Sequence, residues 1–227
     1  MNSERILNIL NKLRVYEESQ PELENLKKEL QADILTNGKV KTGILTTFKK
    51  YVRENEKSGR TKFAQIYKTQ RGNYCFTDGY FLVDFGNDKE NIPAEIRGYI
   101  NDTDNTSTMD FDTLSDKYAD KKAEIDIKLL EKYVKYNKMM SKENESIGIY
   151  LPYNINETYI NPEFVVDMIK FAGKKIDKIT VYYNTAISPV QFIIDNIKFL
   201  VLPIKIPDNK KETILANKDN FEKLMNK

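Results

Sequence analysis

The stretch from Tyr159 to Ile206, YINPEFVVDMIKFAGKKIDKITVYYNTAISPVQFIIDNIKFLVLPIKI, predicts a short strand, a helix and then three antiparallel strands. Asn161 can cap the helix because its side chain accepts a backbone hydrogen bond, and Pro162 suits the first helical position. Apolar residues then recur at helical spacing as far as Gly173, a residue type that ends many helices. The strands are predicted at 179–183, 190–194 and 197–202, the last two joined as a hairpin by Asp195-Asn196.

A second run with the same order of elements lies earlier in the chain. Residues 40–56 have an apolar stripe at helical spacing, and three strand-like segments separated by turn residues follow it. These strands are predicted at 62–68, 74–77 and 80–85. The repeated order hints at a structural repeat.

Motifs in both runs resemble those of the bacterial DNA sliding clamp family, the DNA polymerase III beta subunit. Ser188-Pro189-Val190 is similar to a Ser-Pro strand of that family. The Leu202-Pro203-Ile204-Lys205-Ile206 segment is similar to its closing Met-Pro-hydrophobic-Arg-hydrophobic strand. Upstream, Thr77-Asp78-Gly79-Tyr80-Phe81-Leu82 resembles its Thr-Asp-Gly-aromatic-Arg-Leu segment. The resemblance covers residues 40–206 with gaps and is concentrated at 70–85 and 159–206.

The resemblance implies an α+β, DNA-clamp-like fold, in which helices form an inner wall and antiparallel strands form an outer wall. On this interpretation residues 37–207 are the clamp-like region, with an opening half at 37–122 and a closing half at 123–207. Two further segments have no counterpart in that family: apolar residues at helical spacing predict an N-terminal helical hairpin at 1–36, and 208–227 are predicted to form a polar C-terminal tail. Clamps of this family have three such domains per chain, so we expect this shorter chain to form a homo-oligomer.

The segment between the two runs is harder to interpret. Residues 86–122 are polar and predict a long connection with short strands near 95–100. Residues 125–140 predict a helix, 147–151 a strand and 152–154 a turn.

Two of the predicted helices carry cations on a side away from the apolar stripe. In the sliding clamp family such residues contact DNA phosphates without reading bases, so the resemblance implies the same role here. The alternative is an ordinary solvated face, because any amphipathic surface helix has lysines opposite its apolar stripe. The candidate DNA contacts are Lys49, Lys50, Arg53, Lys57, Lys128, Lys132, Lys135 and Lys138.

The composition excludes several kinds of chemistry. The sequence has no histidine, which removes His-dependent triads and most zinc and haem ligation. Its one cysteine, Cys75, lies in a predicted strand and is expected to be a small buried apolar residue. No glycine pattern of a phosphate-binding loop occurs. We therefore expect that the protein is not an enzyme and has no catalytic residues, bound metal or cofactor.

The charge and hydropathy patterns bear on partners and location. A net charge of +2 provides no global attraction to nucleic acid, so any such binding must be local. No apolar run approaches the ~20 residues of a membrane span, and the first residues lack a signal-peptide pattern. We expect a cytoplasmic protein without a membrane partner.

Two functions from different classes are consistent with these observations. The first is a processivity factor, of a phage or mobile element, that binds duplex DNA as an oligomeric ring and works with a polymerase. The second is a clamp-fold interaction module that does not encircle DNA and binds another protein through a groove. A carboxylate-based hydrolase or nuclease is a third, weaker alternative. The groove residues implied by the resemblance are Leu202, Pro203, Ile204 and Ile206.

Overall fold

The computed structural model describes residues 3–10, 43–102, 107–117, 119–143 and 151–226, together with scattered helical positions between 23 and 34. The helices within this part of the chain are α1 (Ser3–Leu10), α2 (Ile44–Lys57), α3 (Phe111–Leu114), α4 (Ile127–Glu143), α5 (Pro162–Phe171) and α6 (Lys211–Met225). The strands are β1 (Ile66–Lys68), β2 (Tyr74–Thr77), β3 (Phe81–Asp84), β4 (Ile100–Asn101), β5 (Lys121–Asp126), β6 (Tyr153–Ile155), β7 (Thr158–Ile160), β8 (Lys178–Tyr183), β9 (Val190–Ile194) and β10 (Ile197–Val201).

The chain divides into two compact units. The first, here called the sheet unit, contains Lys41–Leu130 and Tyr153–Lys205. The second, here called the helical unit, contains Met1–Val40, Glu131–Pro152 and Ile206–Lys227. The division predicted from the sequence, into 1–36, 37–207 and 208–227, stays a prediction.

The sheet unit is built on an eight-stranded sheet with the order β4-β1-β2-β3-β10-β9-β8-β5. Every neighbouring pair is antiparallel except β4 with β1, which is parallel. The two helix-then-three-strand runs meet at the centre, where Val83 of β3 lies opposite Phe199 of β10. The mixed fold with a large, mostly antiparallel sheet confirms the predicted α+β class, while the repeat and the N-terminal hairpin stay predictions.

Aromatic side chains join α2 and α5 to one face of this sheet. Phe76 of β2 contacts Phe48 of α2, with ring centroids 4.4 Å apart, and Phe171 of α5, at 6.1 Å. Tyr51 of α2 similarly packs edge-on against Phe81 of β3, at 4.8 Å. Because both helices contact the same strand residue, they lie on the same side of the sheet.

The opposite face of the central strands is covered by a smaller apolar cluster. It contains Tyr67, Cys75, Leu82, Phe111 and Leu200, with Phe63 and Met109 packed against it. Burial on both faces explains why β2 and β3 are buried at every position. The prediction that Cys75 is a buried apolar residue is confirmed.

The predicted start of α5 is also confirmed. The Asn161 side chain accepts a hydrogen bond from the Glu163 backbone N–H at 3.0 Å, and Pro162 occupies the first helical position. Gly173 follows the helix with a φ of 67°, which glycine adopts without strain. The predicted hairpin of β9 and β10 forms as well, with Asp195 at a φ of 52°.

Several predicted strand bounds are wrong. Only the last three residues of 62–68 form a strand, because Thr61–Phe63 is a 3-10 helix. The short strands expected near 95–100 are instead the 3-10 helix Ala94–Tyr99 and the two-residue β4. β10 ends at Val201, one residue before the predicted end.

The largest correction concerns β5. The sequence predicts a connection up to 122 and a helix from 125, whereas the structure has a strand over Lys121–Asp126 and a helix only from Ile127. Of the six residues of β5, only Ile125 is buried, so the strand packs little apolar surface against the rest of the protein. The pairing of β5 with β8 therefore determines its conformation, and no apolar alternation marks it in the sequence.

Two further corrections lie on either side of α5. The predicted turn at 152–154 is the start of β6, and the true turn is Asn156-Glu157, with φ values of 45° and 80°. The predicted strand at 147–151 lies outside the described residues apart from Leu151. The end of the chain, predicted as a polar tail with some helical pattern, contains α6.

Side chains of α4 and α6 form the described core of the helical unit. The Phe221 ring lies 4.6 Å from that of Tyr133 and 5.6 Å from that of Tyr136. Asn137 holds the chain at Leu151 by accepting from its N–H at 2.7 Å and donating to its carbonyl at 3.0 Å. None of the described helices is long and apolar enough to cross a membrane.

Candidate functional sites

Three cations on successive turns of α2 form an exposed group, here called the α2 cation face. Its members are Lys49, Arg53 and Lys57, spaced four residues apart, and each is exposed. The opposite side of α2 is buried against the sheet through residues such as Phe48 and Val52. Within the described ranges, no carboxylate forms an ion pair with any of the three. These cations are therefore directed to solvent and available to an anionic partner.

Lys50, the fourth predicted DNA contact on α2, has a different environment. Its ammonium lies 3.0 Å from Glu163 and 3.3 Å from Asp167, both on α5. Burial alone would lower the pKa of Lys50, but the two carboxylates outweigh burial and raise that pKa. Lys50 therefore stabilises the contact of α2 with α5, and its charge is already neutralised.

Asp167 is the centre of that contact. Its side chain is 7% exposed and accepts hydrogen bonds from the Tyr51 hydroxyl at 2.9 Å and the Lys170 ammonium at 2.7 Å. Burial and the negative charge of Asp167 raise the pKa of the Tyr51 hydroxyl, which stays a donor. In the sequence, the signal that could have predicted this network is Asp167 itself, a carboxylate within the otherwise apolar run Phe164–Phe171.

α5 contrasts with α2 in its surface. None of its residues is exposed, and Lys170 is ion-paired with Asp167. Its outer side therefore offers no cation comparable with the α2 cation face.

The four candidate lysines of α4 do not belong to one unit. Lys128 lies in the sheet unit, is 72% exposed, and is 3.4 Å from the Asp177 carboxylate. Lys132, Lys135 and Lys138 lie in the helical unit, and only Lys138 among them is exposed. Burial lowers the pKa of Lys135, with a smaller contribution from the positive charge of Lys132.

A second candidate surface is apolar and lies at the turn between β2 and β3. Tyr80 is 57% exposed and stacks on Phe164, with ring centroids 6.2 Å apart and planes inclined by 13°. Leu202, 38% exposed, donates its backbone N–H to the Tyr80 carbonyl at 2.8 Å. Tyr80, Phe164 and Leu202 are here called the Tyr80 patch.

A buried carboxylate stabilises the turn that presents Tyr80. The buried Asp78 carboxylate accepts from the backbone N–H groups of Tyr80, at 2.8 Å, and Phe81, at 3.0 Å. Burial raises the pKa of Asp78, although those hydrogen bonds and Arg60 act in the opposite direction. Gly79 has a φ of 92°, and a Cβ there would lie 2.8 Å from the Arg60 guanidinium. The backbone conformation therefore favours glycine at this position, whereas the guanidinium is the end of a flexible side chain and can move away from a Cβ.

The predicted groove residues are only partly at this patch. Leu202 belongs to it, and Pro203 and Ile204 follow half-buried, with the Ile204 N–H donating to the Tyr159 carbonyl at 2.6 Å. Ile206 is half-buried and belongs to the helical unit. Sequence reasoning missed Tyr80 as an exposed residue that stacks on the half-buried Phe164, although an aromatic residue directly after the Asp78-Gly79 turn was a usable signal.

Potential metal ligands were compared across the described part of the chain. There, no group of three or more cysteine and carboxylate side chains is placed to hold a metal ion.

Among comparisons with known proteins, those with solved structures give matches. No family model matches the sequence, and no curated protein matches it. Solved structures similar to the chain include the beta subunit of DNA polymerase III from Thermotoga maritima, at 13% sequence identity and a TM-score of 0.35. That match covers 60% of this chain and 42% of the other, so this chain spans less than half the length of that subunit.

Proposed function

We propose that this protein is a non-catalytic, clamp-like protein that binds duplex DNA through its phosphates. The observation that supports the proposal is the α2 cation face, three exposed cations without a described ion-pair partner. Lysine and arginine are the residues that proteins use for phosphate, and Arg53 can bind two phosphate oxygens at once. The exposed carboxylates Glu54 and Glu56 on the same helix keep the attraction local and moderate.

Binding of this kind is independent of DNA sequence and depends strongly on salt. Each phosphate that a cation neutralises releases counterions, so three contacts give a slope of about −2.7 in log K against log salt. Raising the salt from about 50 to about 200 mM then weakens binding roughly 40-fold. A base-reading protein would add contacts that salt does not screen in this way.

The test compares the wild type with a triple charge reversal, Lys49→Glu with Arg53→Glu and Lys57→Glu. Fluorescence anisotropy with a labelled duplex is measured across that salt range. We expect the variant to lose affinity at low salt and to show a flatter salt dependence.

The matched control reverses three other exposed lysines, Lys205→Glu with Lys210→Glu and Lys223→Glu, so that the net charge changes equally. We expect the control to lose less affinity than the α2 variant. Equal losses would show that only net charge matters, and a wild type without affinity for duplex DNA would overturn the proposal.

The fuller form of the proposal is a cytoplasmic homo-oligomer that surrounds DNA as a ring and serves a polymerase as a processivity factor. In this form the candidate lysines of α4 add phosphate contacts, while Lys50 acts through the contact with α5. A ring of identical chains needs an interface whose rotation closes.

A second candidate function is favoured by the Tyr80 patch. Exposed aromatic and leucine side chains beside each other are typical of protein-binding surfaces. Here the protein would bind a polymerase or another clamp-binding protein and would not encircle DNA. Tyr80→Ser with Leu202→Ser should then abolish partner binding, while the wild type shows no salt-dependent affinity for DNA.

A further inference from the structure

The strand β5 closes one end of the eight-stranded sheet. It pairs with β8 over six residues, and no described strand pairs with its other edge. Four of its residues are exposed, namely Lys121, Lys122, Glu124 and Asp126. An open strand edge presents unpaired N–H and C=O groups and can accept another strand.

The direction of these backbone groups follows from the pairing with β8. Alternate residues of a strand turn their N–H and C=O groups to opposite edges. Asp126 lies opposite Lys178 in this pairing, so the next residue, Ile127, lies opposite Asp177. Ile127 donates its N–H to the Asp177 carbonyl at 2.9 Å, which shows that Ile127 directs its backbone groups to the β8 side. Odd-numbered residues of β5 therefore bond to β8, whereas Lys122 and Glu124 direct their backbone groups to the open edge.

The charges of β5 are arranged so that the strand complements itself. Its first two residues are lysines, and its second half carries Glu124 and Asp126. In an antiparallel pair of two identical copies, the basic half of each strand lies beside the acidic half of the other. Opposite charges directly across a strand pair stabilise it, and like charges destabilise it.

We propose that β5 pairs with β5 of a second copy of this chain, antiparallel, with Ala123 opposite Ala123. Lys122 of each copy then lies opposite Glu124 of the other and exchanges both backbone hydrogen bonds with it. Shifting the register by one residue on each copy would place Lys122 opposite Lys122, or Glu124 opposite Glu124.

Other charged groups at this edge are compatible with the register. Asp126 lies opposite Asp120 of the second copy, but its carboxylate is turned to the start of α4, where it accepts from the Leu129 N–H at 3.1 Å. Glu124 is 2.6 Å from Lys178 within its own chain, and both are exposed, so Glu124 can contact a second lysine.

Such an interface relates two copies by a two-fold axis and closes on itself as a dimer. A six-residue strand pair is smaller than a standard interface of about 1,600 Å², so we expect weak association with a micromolar dissociation constant. The dimer does not depend on DNA binding, and a ring would need a second interface.

The test is a charge-reversal series followed by light scattering after size exclusion, from low micromolar to near-millimolar protein. We expect the wild type to dimerise as concentration rises. Lys122→Glu and Glu124→Lys should each weaken the dimer roughly tenfold or more, because two attractive pairs become repulsive.

Mixing the two single variants gives the sharper result. In a mixed pair, Glu at 122 of one copy faces Lys at 124 of the other, and the native Glu124 faces the native Lys122. We therefore expect the mixture to dimerise where each variant alone stays monomeric, and the double variant K122E/E124K to dimerise as well. Lys178→Met, which removes the contact with Glu124 within the chain and adds no negative charge, serves as the control and should leave dimerisation unchanged.

A wild type that stays monomeric at every concentration would overturn the inference, as would single variants that dimerise like the wild type. A mixture that fails to associate would exclude the proposed register. DNA affinity measured on Lys122→Glu separates the two proposals. Unchanged affinity with lost dimerisation supports the β5 interface and leaves the α2 cation face unaffected.

Discussion

At the scale of single residues, environment separates side chains that the sequence presents alike. Lys49 and Lys50 are adjacent on α2, yet Lys49 is exposed and Lys50 is bound to two carboxylates of α5. The helix turns by 100° between them, which directs one to solvent and the other to the neighbouring helix. Composition and spacing therefore predicted a basic helix but could not separate its exposed cations from the ion-paired Lys50.

Glu157 is strained in the turn between β6 and β7. Its φ of 80° suits glycine, and its side chain is exposed. We predict that Glu157→Gly raises the free energy of unfolding by about 0.5 kcal/mol, because relief of backbone strain exceeds the added entropy of the unfolded chain. Urea unfolding measures this change. Glu157→Ala keeps the strain and should give no gain, so an equal gain in both variants would contradict the explanation.

Asp78 gives a prediction about pH. Because burial raises its pKa in the folded protein, the folded state binds this proton more tightly than the unfolded state does. Its contribution to stability is therefore greatest below the unfolded pKa and is lost as the pH rises through the folded pKa. Asp78→Asn keeps an oxygen that accepts from the two N–H groups and removes the buried charge.

We expect the urea midpoint of Asp78→Asn to exceed that of the wild type at pH 7 and to approach it near pH 4. Paired unfolding curves at the two values test this. A variant that is less stable than the wild type at pH 7 would show that the interaction with Arg60 outweighs the cost of burial.

At the scale of elements, the best-predicted segment is the one with the strongest local signals. α5 has a cap, a proline at its start and a glycine after its end, and the strands that follow are rich in β-branched and aromatic residues. β5 carries no such signal, because it is an edge strand whose conformation comes from β8, more than 50 residues away. Edge strands need little apolar surface, so periodicity does not reveal them.

The packing of α5 can be tested at Met168, which is fully buried. We predict that Met168→Ala lowers the free energy of unfolding by about 2–5 kcal/mol, since it leaves a cavity beneath the helix. Lys175→Ala, at an exposed position just after α5, is the control and should change stability by less than about 0.5 kcal/mol. A comparable small effect at Met168 would contradict the packing of this helix.

At the scale of the whole molecule, DNA binding and ring formation place different demands on assembly and can be tested separately. Phosphate binding needs only one face of one helix, whereas a ring needs copies of the chain joined by closing interfaces. The chain has 227 residues and two compact units, and in the fuller form of the first proposal several copies of it surround the DNA.

We predict that a ring would stay on circular DNA and slide off linear DNA of the same sequence. Retention is measured by size exclusion of the DNA-bound protein at moderate salt, before and after cutting the circle once. Equal retention on both forms would contradict the ring and leave phosphate binding by the α2 cation face as the simpler function.

Local sequence specified α2, α5, the β9–β10 hairpin and the Asn161 cap, because these depend on residues only a few positions apart. The tertiary structure decided the β3–β10 junction, the edge position of β5, the exposed Tyr80 patch and the partners of Lys50. Lys50 and Asp167 are 117 positions apart in the chain, and no local pattern encodes their ion pair. The physical reason is that caps and periodicity act within one or two turns, whereas strand partners and buried charges are chosen by the packing of distant segments.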